Sequence, residues 1–262
     1  MTGPSTQLAA AAMGACGYLV SNQAVFFLTA AFALPALFAI ANIPAGRVQD
    51  PKNVRAGAPS ATVRSVLSDR RLLAFAGCIL LFQMANAAML PLMGGILTMR
   101  ASEWASTLIG ACIVVPQLIV AGCAPWVGRR ADSWGCKPLL LVCFAALALR
   151  GVLFAFVLNP YLVVVVQALD GVCAAILGVT LPLVVADITR GTGRFNLGLG
   201  IVGSAVGIGA ALSTSLAGYV MDHFGRMAAF GGLASVAVCG LALLWLLLPE
   251  TRLAAKQLPS AS

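Results

Sequence analysis

The chain has 262 residues, of which 61% are hydrophobic and only 9% are charged, and its formal net charge is +8. A typical soluble domain contains about 25% charged residues, so this composition excludes a water-soluble globule. The high apolar content also excludes a disordered chain. The remaining class is a polytopic membrane protein, and the long continuous apolar runs favour helices over the ~10-residue alternating strands of a membrane β-barrel.

The apolar runs divide the chain into four parts. Residues 1–43 hold a short run at 5–20 and a full one at 24–43, and a polar linker rich in Pro, Gly, Arg and Ser follows at 44–71. The sequence then predicts a six-helix bundle over 72–248 and a polar tail at 249–262, since each span needs ~20 apolar residues. The predicted spans are 72–98, 104–127, 138–158, 161–186, 197–220 and 227–248.

Basic residues are concentrated in alternate inter-helix loops. Thirteen of the 16 Lys and Arg lie in the linker, at 129–137, at 190–194 and in the tail, whereas the opposite loops hold only Arg100 and Arg226. An excess of Lys and Arg marks cytoplasmic loops, so the linker and the C-terminus are predicted to be cytoplasmic. Because position explains the charge, a nucleic acid is not predicted as a partner.

A motif of the form G-x-x-x-D-x-x-G occurs twice, 90 residues apart, and a basic residue follows each copy. The first copy consists of Gly128, Asp132 and Gly135 with Lys137, and the second of Gly218, Asp222 and Gly225 with Arg226. Each copy follows the second helix of a predicted three-helix group, one on the inside and one on the outside. The sequence therefore predicts two inverted three-helix repeats.

Residues 128–137 are similar to the signature loop of the major facilitator superfamily, G-x-x-x-D-R-x-G-R-K, in its second-half copy. Ser133 and Cys136 stand where that pattern has basic residues. The chain thus resembles the C-terminal half of such a transporter, with 24–43 corresponding to helix six and 5–20 to a remnant of helix five. Helices one to four have no counterpart, which leaves open a truncated gene, a misassigned start and a natural half-size chain.

The resemblance implies that the signature loop latches the inward ends of helices across two bundles. The residues given this gating role are Gly128, Arg129, Arg130, Asp132, Gly135 and Lys137. A carboxylate such as Asp132 is also stabilised at a helix N-terminus by the helix dipole. The alternative for the basic residues is that they only orient the protein in the membrane.

The resemblance also implies that the first helix of each repeat lines a central cavity. Polar residues on these two helices and on the helix starting near 104 are Gln83, Asn86, Gln117, Gln167 and Asp170. Their convergence favours a substrate cavity for an apolar or amphiphilic solute. The alternative is that the amides are interhelical contacts, which contribute about 0.6 kcal/mol each.

Two ionisable residues lie deep within predicted spans, on neighbouring helices. Arg150 precedes the outer end of its helix at 158 by eight residues, and Asp170 follows the outer end of the next helix at 161 by nine. At 1.5 Å per residue both lie ~12–14 Å below the outer surface. Since intramembrane charges usually face a cavity or a partner, we expect an ion pair, with proton coupling by Asp170 as the second interpretation.

Other patterns argue against catalysis. The eight cysteines are scattered and there is one His, so neither a metal site nor a cofactor is predicted. No hydrolase motif occurs, and the protein is predicted not to be an enzyme. The glycines at 198–203 match a dinucleotide fingerprint by spacing, but no strand precedes them. Gly203 and Gly207 instead form G-x-x-x-G, which predicts close helix packing.

Together, these features and the resemblance predict an all-α secondary active transporter in the inner membrane of a bacterium. It exports a small apolar or amphiphilic solute by alternating access, with H⁺ as the coupling ion. Besides solute, proton and lipid bilayer, the expected partner is a second bundle or a second copy of the chain. The alternative is a truncated half-transporter without independent activity, which is inert or acts only as an assembly partner.

Overall fold

The computed structural model describes residues 69–100 and 104–247, which belong to one compact unit, 63–262. The predicted spans at 5–20 and 24–43, most of the linker and the tail at 249–262 lie outside the described residues. Every regular element in the described ranges is an α-helix, which confirms the predicted all-α class. The helices are α1 Arg70–Asn86, α2 Met89–Arg100, α3 Ala105–Trp134, α4 Cys136–Phe156, α5 Pro160–Ile188 and α6 Phe195–Leu247.

The described residues contain five helical stretches that are long and apolar enough to cross a membrane. One of them, 70–100, combines α1 and α2. Another is α6, which has 53 residues and bends at Gly225, where φ is 79°. Its arms 195–224 and 226–247 each suffice to cross ~30 Å of hydrocarbon at 1.5 Å per residue. By length, the described helices therefore provide six crossings.

Polar residues outside the apolar runs set two helix starts. Asp69 caps α1, because its Oδ1 accepts from the backbone N–H groups of Arg71 and Leu72 at 2.9 and 3.4 Å. Asn159 caps α5 by accepting from the backbone N–H of Tyr161 at 2.9 Å, and a proline follows it at the first helical position. Both caps satisfy donors that the helix itself leaves unpaired.

The signature stretch is helical, and its prediction as a loop is wrong for residues 128–134. Helix α3 continues through both prolines, Pro116 and Pro125, to Trp134 and ends only at Gly135, whose φ is 85°. Charged residues near a helix end are solvated without leaving the helical conformation, so polarity alone does not mark a loop. A positive φ, which favours glycine, ends the helix instead.

Contacts between helix ends show that α4 and the second arm of α6 run antiparallel. Lys137 Nζ, at the start of α4, donates to the carbonyl of Trp245 at 3.1 Å, and Arg226 Nη1 donates to the carbonyl of Val157 at 2.7 Å. The first contact lies at the end of the bundle that also holds Leu72 and Gly198, which approach each other. We call it the basic end; the second contact lies at the opposite end.

Helix α1 packs between α4 and both arms of α6. Phe82 of α1 meets Phe144 of α4 edge to face, with ring centroids 5.2 Å apart. A Cβ on Gly209 would lie 2.4 Å from the carbonyl oxygen of Leu80, so only glycine allows this approach. Tight contacts of this kind let helices associate in lipid, where apolar surface alone gives no preference.

The glycines predicted to pack helices are not the ones that do so in the described residues. Gly203 and Gly207 lie on an exposed face of α6, and a Cβ on either would meet no atom of this bundle within 4 Å. Close packing occurs instead at Gly198 and Gly209. A G-x-x-x-G motif defines a small helix face but not which neighbour that face meets, so packing at Gly203 and Gly207 against a helix outside the described residues stays a prediction.

Candidate functional site

A buried arginine forms the centre of the site. Arg150 of α4 is 1% exposed and is among the largest fully buried side chains of the described residues. Its Nη1 forms an ion pair with Asp170 of α5, and its Nη2 donates to Asn86 Oδ1 of α1. Its Nε donates to Met89 Sδ of α2 at 3.2 Å. One guanidinium thus links four helices, and counting residues along the spans predicted its pairing with Asp170.

Gln167 extends the network on the side of the carboxylate. Its Nε2 donates to Asp170 Oδ2 at 3.4 Å, while its buried Oε1 has no hydrogen-bond partner among the described residues. The Asp170 side chain is 27% exposed, whereas Gln167 is 1% exposed. We call Arg150, Asp170, Asn86, Gln167 and Met89 the polar node. It is charge-balanced, buried around the arginine and open at the carboxylate.

A helix break lies beside the node. The turn at residues 87–88 separates α1 from α2. Pro91 follows shortly after it, and because proline has no backbone N–H, one helical hydrogen bond is absent there. The backbone N–H of Ala88 donates to Ser213 Oγ of α6 at 3.0 Å, so this donor at the break is paired with a neighbouring helix. Interrupted helices near the midplane are characteristic of binding sites in secondary transporters.

The other amides of the predicted cavity lie elsewhere. Gln83 is on α1 and approaches α6, since its Cβ lies 3.1 Å from where a Cβ on Gly209 would be. Gln117 is buried on α3, next to the point where Pro116 approaches Gly171 of α5. Of the five predicted cavity residues, the structure joins Asn86, Gln167 and Asp170 in hydrogen bonds around Arg150.

A separate pocket of about 180 Å³ lies between α1 and the two arms of α6. Its lining is almost entirely apolar and includes Met84, Leu216 and Leu233, with Ser213 as a polar member. Ser213 also bonds to the helix break, so this pocket and the polar node meet the same turn. The volume fits a small apolar group.

The two motif copies share one backbone geometry. Gly135 has φ 85° and ψ 170°, and Gly225 has φ 79° and ψ −179°. After each glycine a basic side chain binds the last carbonyls of a neighbouring helix, with Lys137 on Trp245 and Arg226 on Val157. A cation at a helix C-terminus is favoured by the helix dipole. We call these two contacts the reciprocal clamp.

The remaining signature residues lie at the surface of the basic end. Arg129 and Asp132 are exposed, and within residues 69–100 and 104–247 neither side chain makes a hydrogen bond or ion pair. Arg130 lies between two tryptophans, 5.4 Å from the ring centroid of Trp126 and 4.3 Å from that of Trp134. The gating role of this stretch stays a prediction.

Sequence reasoning missed the contact of Met89 with Arg150, the role of Ser213 and the acceptors of the reciprocal clamp. Met89 follows Asn86 by three residues, a spacing that places them near one helix face and was the one available signal. Ser213 and the clamp carbonyls depend on which helices are neighbours. Within the described ranges no cluster of three His, Cys, Asp or Glu could hold a metal ion.

Comparison with known proteins gives a family and several relatives. The family model described as Major Facilitator Superfamily matches residues 75–261. Two proteins described as uncharacterized MFS-type transporters, from the CDC 1551 / Oshkosh and H37Rv strains of Mycobacterium tuberculosis, are 40% identical over 252 residues. That alignment covers 93% of this chain and 60% of each relative.

A third relative is described as a gallate transporter from Pseudomonas putida. It is 32% identical over 141 residues, which cover 51% of this chain and 30% of that protein. No solved structure matches the chain. The chain therefore spans about 60% of the length of the mycobacterial relatives that it matches.

Proposed function

This chain belongs to the major facilitator superfamily, and we propose that it forms the C-terminal half of a secondary transporter that works by alternating access. Its matched relatives are longer, so transport is proposed for a protein in which a second helical bundle completes the cavity. The two motif copies, with equal glycine geometry, support a pair of inverted three-helix repeats within this half.

The polar node is the observation that carries the proposal. An ionisable residue inside a membrane bundle is costly, and such residues commonly mark substrate and ion pathways. Arg150 is buried and each of its three side-chain nitrogens donates a hydrogen bond, which suits a fixed anchor, whereas Asp170 is partly exposed. We assign Asp170, with Gln167 and Asn86, to the face that meets the solute, and Gln83 and Gln117 to the adjoining walls.

The same geometry supports the proposed coupling to protons. Arg150 is the counterion of Asp170 in this structure, and a neighbouring cation in general stabilises the ionised form of a carboxylate. In the proposed cycle the ion pair separates during a conformational change, and Asp170 is then the group that accepts the coupled proton. The turn at 87–88 lies beside both Asn86 and Met89, and it supplies a place where Arg150 can lose contacts. In this scheme Asp170 binds one proton each time its ion pair with Arg150 is broken.

The solute is proposed to be small and apolar or amphiphilic. The pocket beside Met84 and Leu233 is apolar, and the adjacent node holds one amide acceptor, the buried Oε1 of Gln167, that has no hydrogen-bond partner among the described residues. The relative described as a gallate transporter suggests an aromatic carboxylate as one test solute. A solute carboxylate would compete with Asp170 for Arg150. Export is the proposed direction, in line with the resemblance to bacterial exporters.

The orientation follows from the distribution of charge. The described residues at the basic end include Arg70, Arg71, Arg129, Arg130, Lys137, Arg190 and Arg194. The opposite end holds Arg100 and Arg226. On the positive-inside rule we propose that the basic end and the C-terminal tail lie in the cytoplasm of a bacterial cell.

The test is solute flux in proteoliposomes that contain the complete transporter, formed by this chain and a second bundle. We expect saturable flux of gallate or of a lipophilic amphiphile that increases with an imposed pH gradient. Inside-out and right-side-out orientations distinguish export from uptake. Flux that is not saturable for any solute of these two classes would contradict the proposal.

A further inference from the structure

Three side chains form a ladder along one face of the last turns of α3. Trp126, Arg130 and Trp134 are spaced four residues apart, so they lie above one another on the helix. The tryptophan rings are perpendicular, with centroids 6.4 Å apart, and the guanidinium lies over both. Trp126 and Trp134 are 45% and 48% exposed. We call these three residues the Trp–Arg ladder.

The Arg130 guanidinium has no acceptor within the described part of the chain. Its flat face contacts the rings, which leaves the N–H edges free to donate, and a guanidinium carries five N–H donors. No carboxylate of the described residues pairs with it, although Asp132 lies two positions along the helix. Stacking on the rings fixes the orientation of the planar guanidinium, and a guanidinium held in this way can bind a phosphate through two parallel N–H groups.

The length of α3 places the ladder in the headgroup layer. With 30 residues the helix is ~45 Å long, whereas the hydrocarbon layer is ~30 Å thick. The excess extends beyond the hydrocarbon, and the ladder occupies the last nine positions of the helix. Tryptophans are enriched at this depth, where the ring meets acyl chains and the indole N–H meets water.

The excess of basic side chains at this end of the bundle favours an anionic ligand for the ladder. The described residues at the basic end comprise seven basic and three acidic side chains: Arg70, Arg71, Arg129, Arg130, Lys137, Arg190 and Arg194 against Asp69, Asp132 and Asp187. We propose that the Trp–Arg ladder is a binding site for an anionic phospholipid. Arg130 binds the headgroup phosphate, and the two indole rings contact the glycerol and upper acyl chains. The site is independent of the transported solute.

The test measures lipid binding to the full 262-residue chain in zwitterionic detergent by native mass spectrometry. Phosphatidylglycerol and phosphatidylcholine with identical short acyl chains are titrated separately. Arg130→Gln is compared with Arg129→Gln, which removes the same charge about 100° around the helix, where no ring stacks. We expect Arg130→Gln to raise the dissociation constant for phosphatidylglycerol about tenfold, and Arg129→Gln to leave it within about twofold.

A second variant separates binding from folding. Trp134→Leu keeps both arginines but removes the closer ring, and it is expected to weaken phosphatidylglycerol binding about threefold. Melting temperatures without added lipid identify any variant that is misfolded, and Trp134→Leu then decides the outcome if Arg130→Gln is unstable. Equal losses for Arg130→Gln and Arg129→Gln would overturn the site, because they would show attraction by charge alone. Equal affinity for the two lipids would overturn its preference for an anion.

Discussion

The ion pair of the polar node has an unequal burial that predicts an unequal response to mutation. Arg150 is 1% exposed and Asp170 is 27% exposed. Asp170→Asn therefore leaves a cation buried without its counterion, whereas Arg150→Met leaves a carboxylate that is partly solvated and still bonds to Gln167. Breaking a buried pair by removing one partner typically costs 3–5 kcal/mol.

The expected magnitudes follow from the contacts that survive. In Asp170→Asn, Arg150 keeps Asn86 and Met89 as acceptors, so the loss of unfolding free energy is expected near the lower limit, at about 3 kcal/mol. Arg150→Met leaves Asn86 Oδ1 unpaired, which costs about 1–2 kcal/mol. The double variant is expected to lose about the same 1–2 kcal/mol, because no charge is then left unpaired.

The assay is equilibrium unfolding of the purified chain by SDS in mixed micelles, followed by circular dichroism. Asp187→Asn is the matched control, since Asp187 pairs with Arg190 at 3.0 Å in a surface pair whose members are 26% and 60% exposed. We expect it to lose less than about 1 kcal/mol. Additive losses in the double variant, or equal losses for Asp170→Asn and Asp187→Asn, would refute the reasoning.

Three further outcomes are expected. Lys137→Ala and Arg226→Ala each remove one contact of the reciprocal clamp, and each should lower the unfolding free energy by about 1 kcal/mol in the same SDS titration. Lys137→Arg keeps a cation at that position and should unfold like the native chain. Gly209→Leu, whose Cβ would lie 2.4 Å from the Leu80 carbonyl, should fail to give a folded monomer by size exclusion, whereas Gly203→Leu should fold normally. A strictly monomeric preparation of the 262-residue chain should show no saturable flux in proteoliposomes, because its cavity-facing polar groups lack the second bundle.

The sequence predicts those features that depend on position along one helix. The depths of Arg150 and Asp170 follow from counting residues to the helix ends, and the structure places the two side chains in contact. The starts of α1 at Arg70 and α5 at Pro160 lie within two residues of the predicted 72 and 161, and Asp69 and Asn159 cap them. These features need only the rise per residue and local hydrogen bonding.

Features that depend on which helices are neighbours escape the sequence. Gly203 and Gly209 lie six residues apart on α6, yet among the described residues only Gly209 meets a neighbouring backbone. Ser213 bonds to a turn 125 residues away in the chain, and nothing near it in the sequence indicates that partner. A polar stretch such as 128–134 was predicted as a loop because solvated charge occurs in loops and in helix ends alike.

The central claim is that Asp170 couples proton movement to solute movement within a transporter completed by a second bundle. The most direct measurement is pH-gradient-driven solute accumulation in proteoliposomes with the complete protein, compared among the native chain, Asp170→Asn and Asp187→Asn. We predict that Asp170→Asn loses gradient-driven accumulation but retains solute exchange. Asp187→Asn should accumulate solute within about twofold of the native chain. Native gradient-driven accumulation in Asp170→Asn would contradict it.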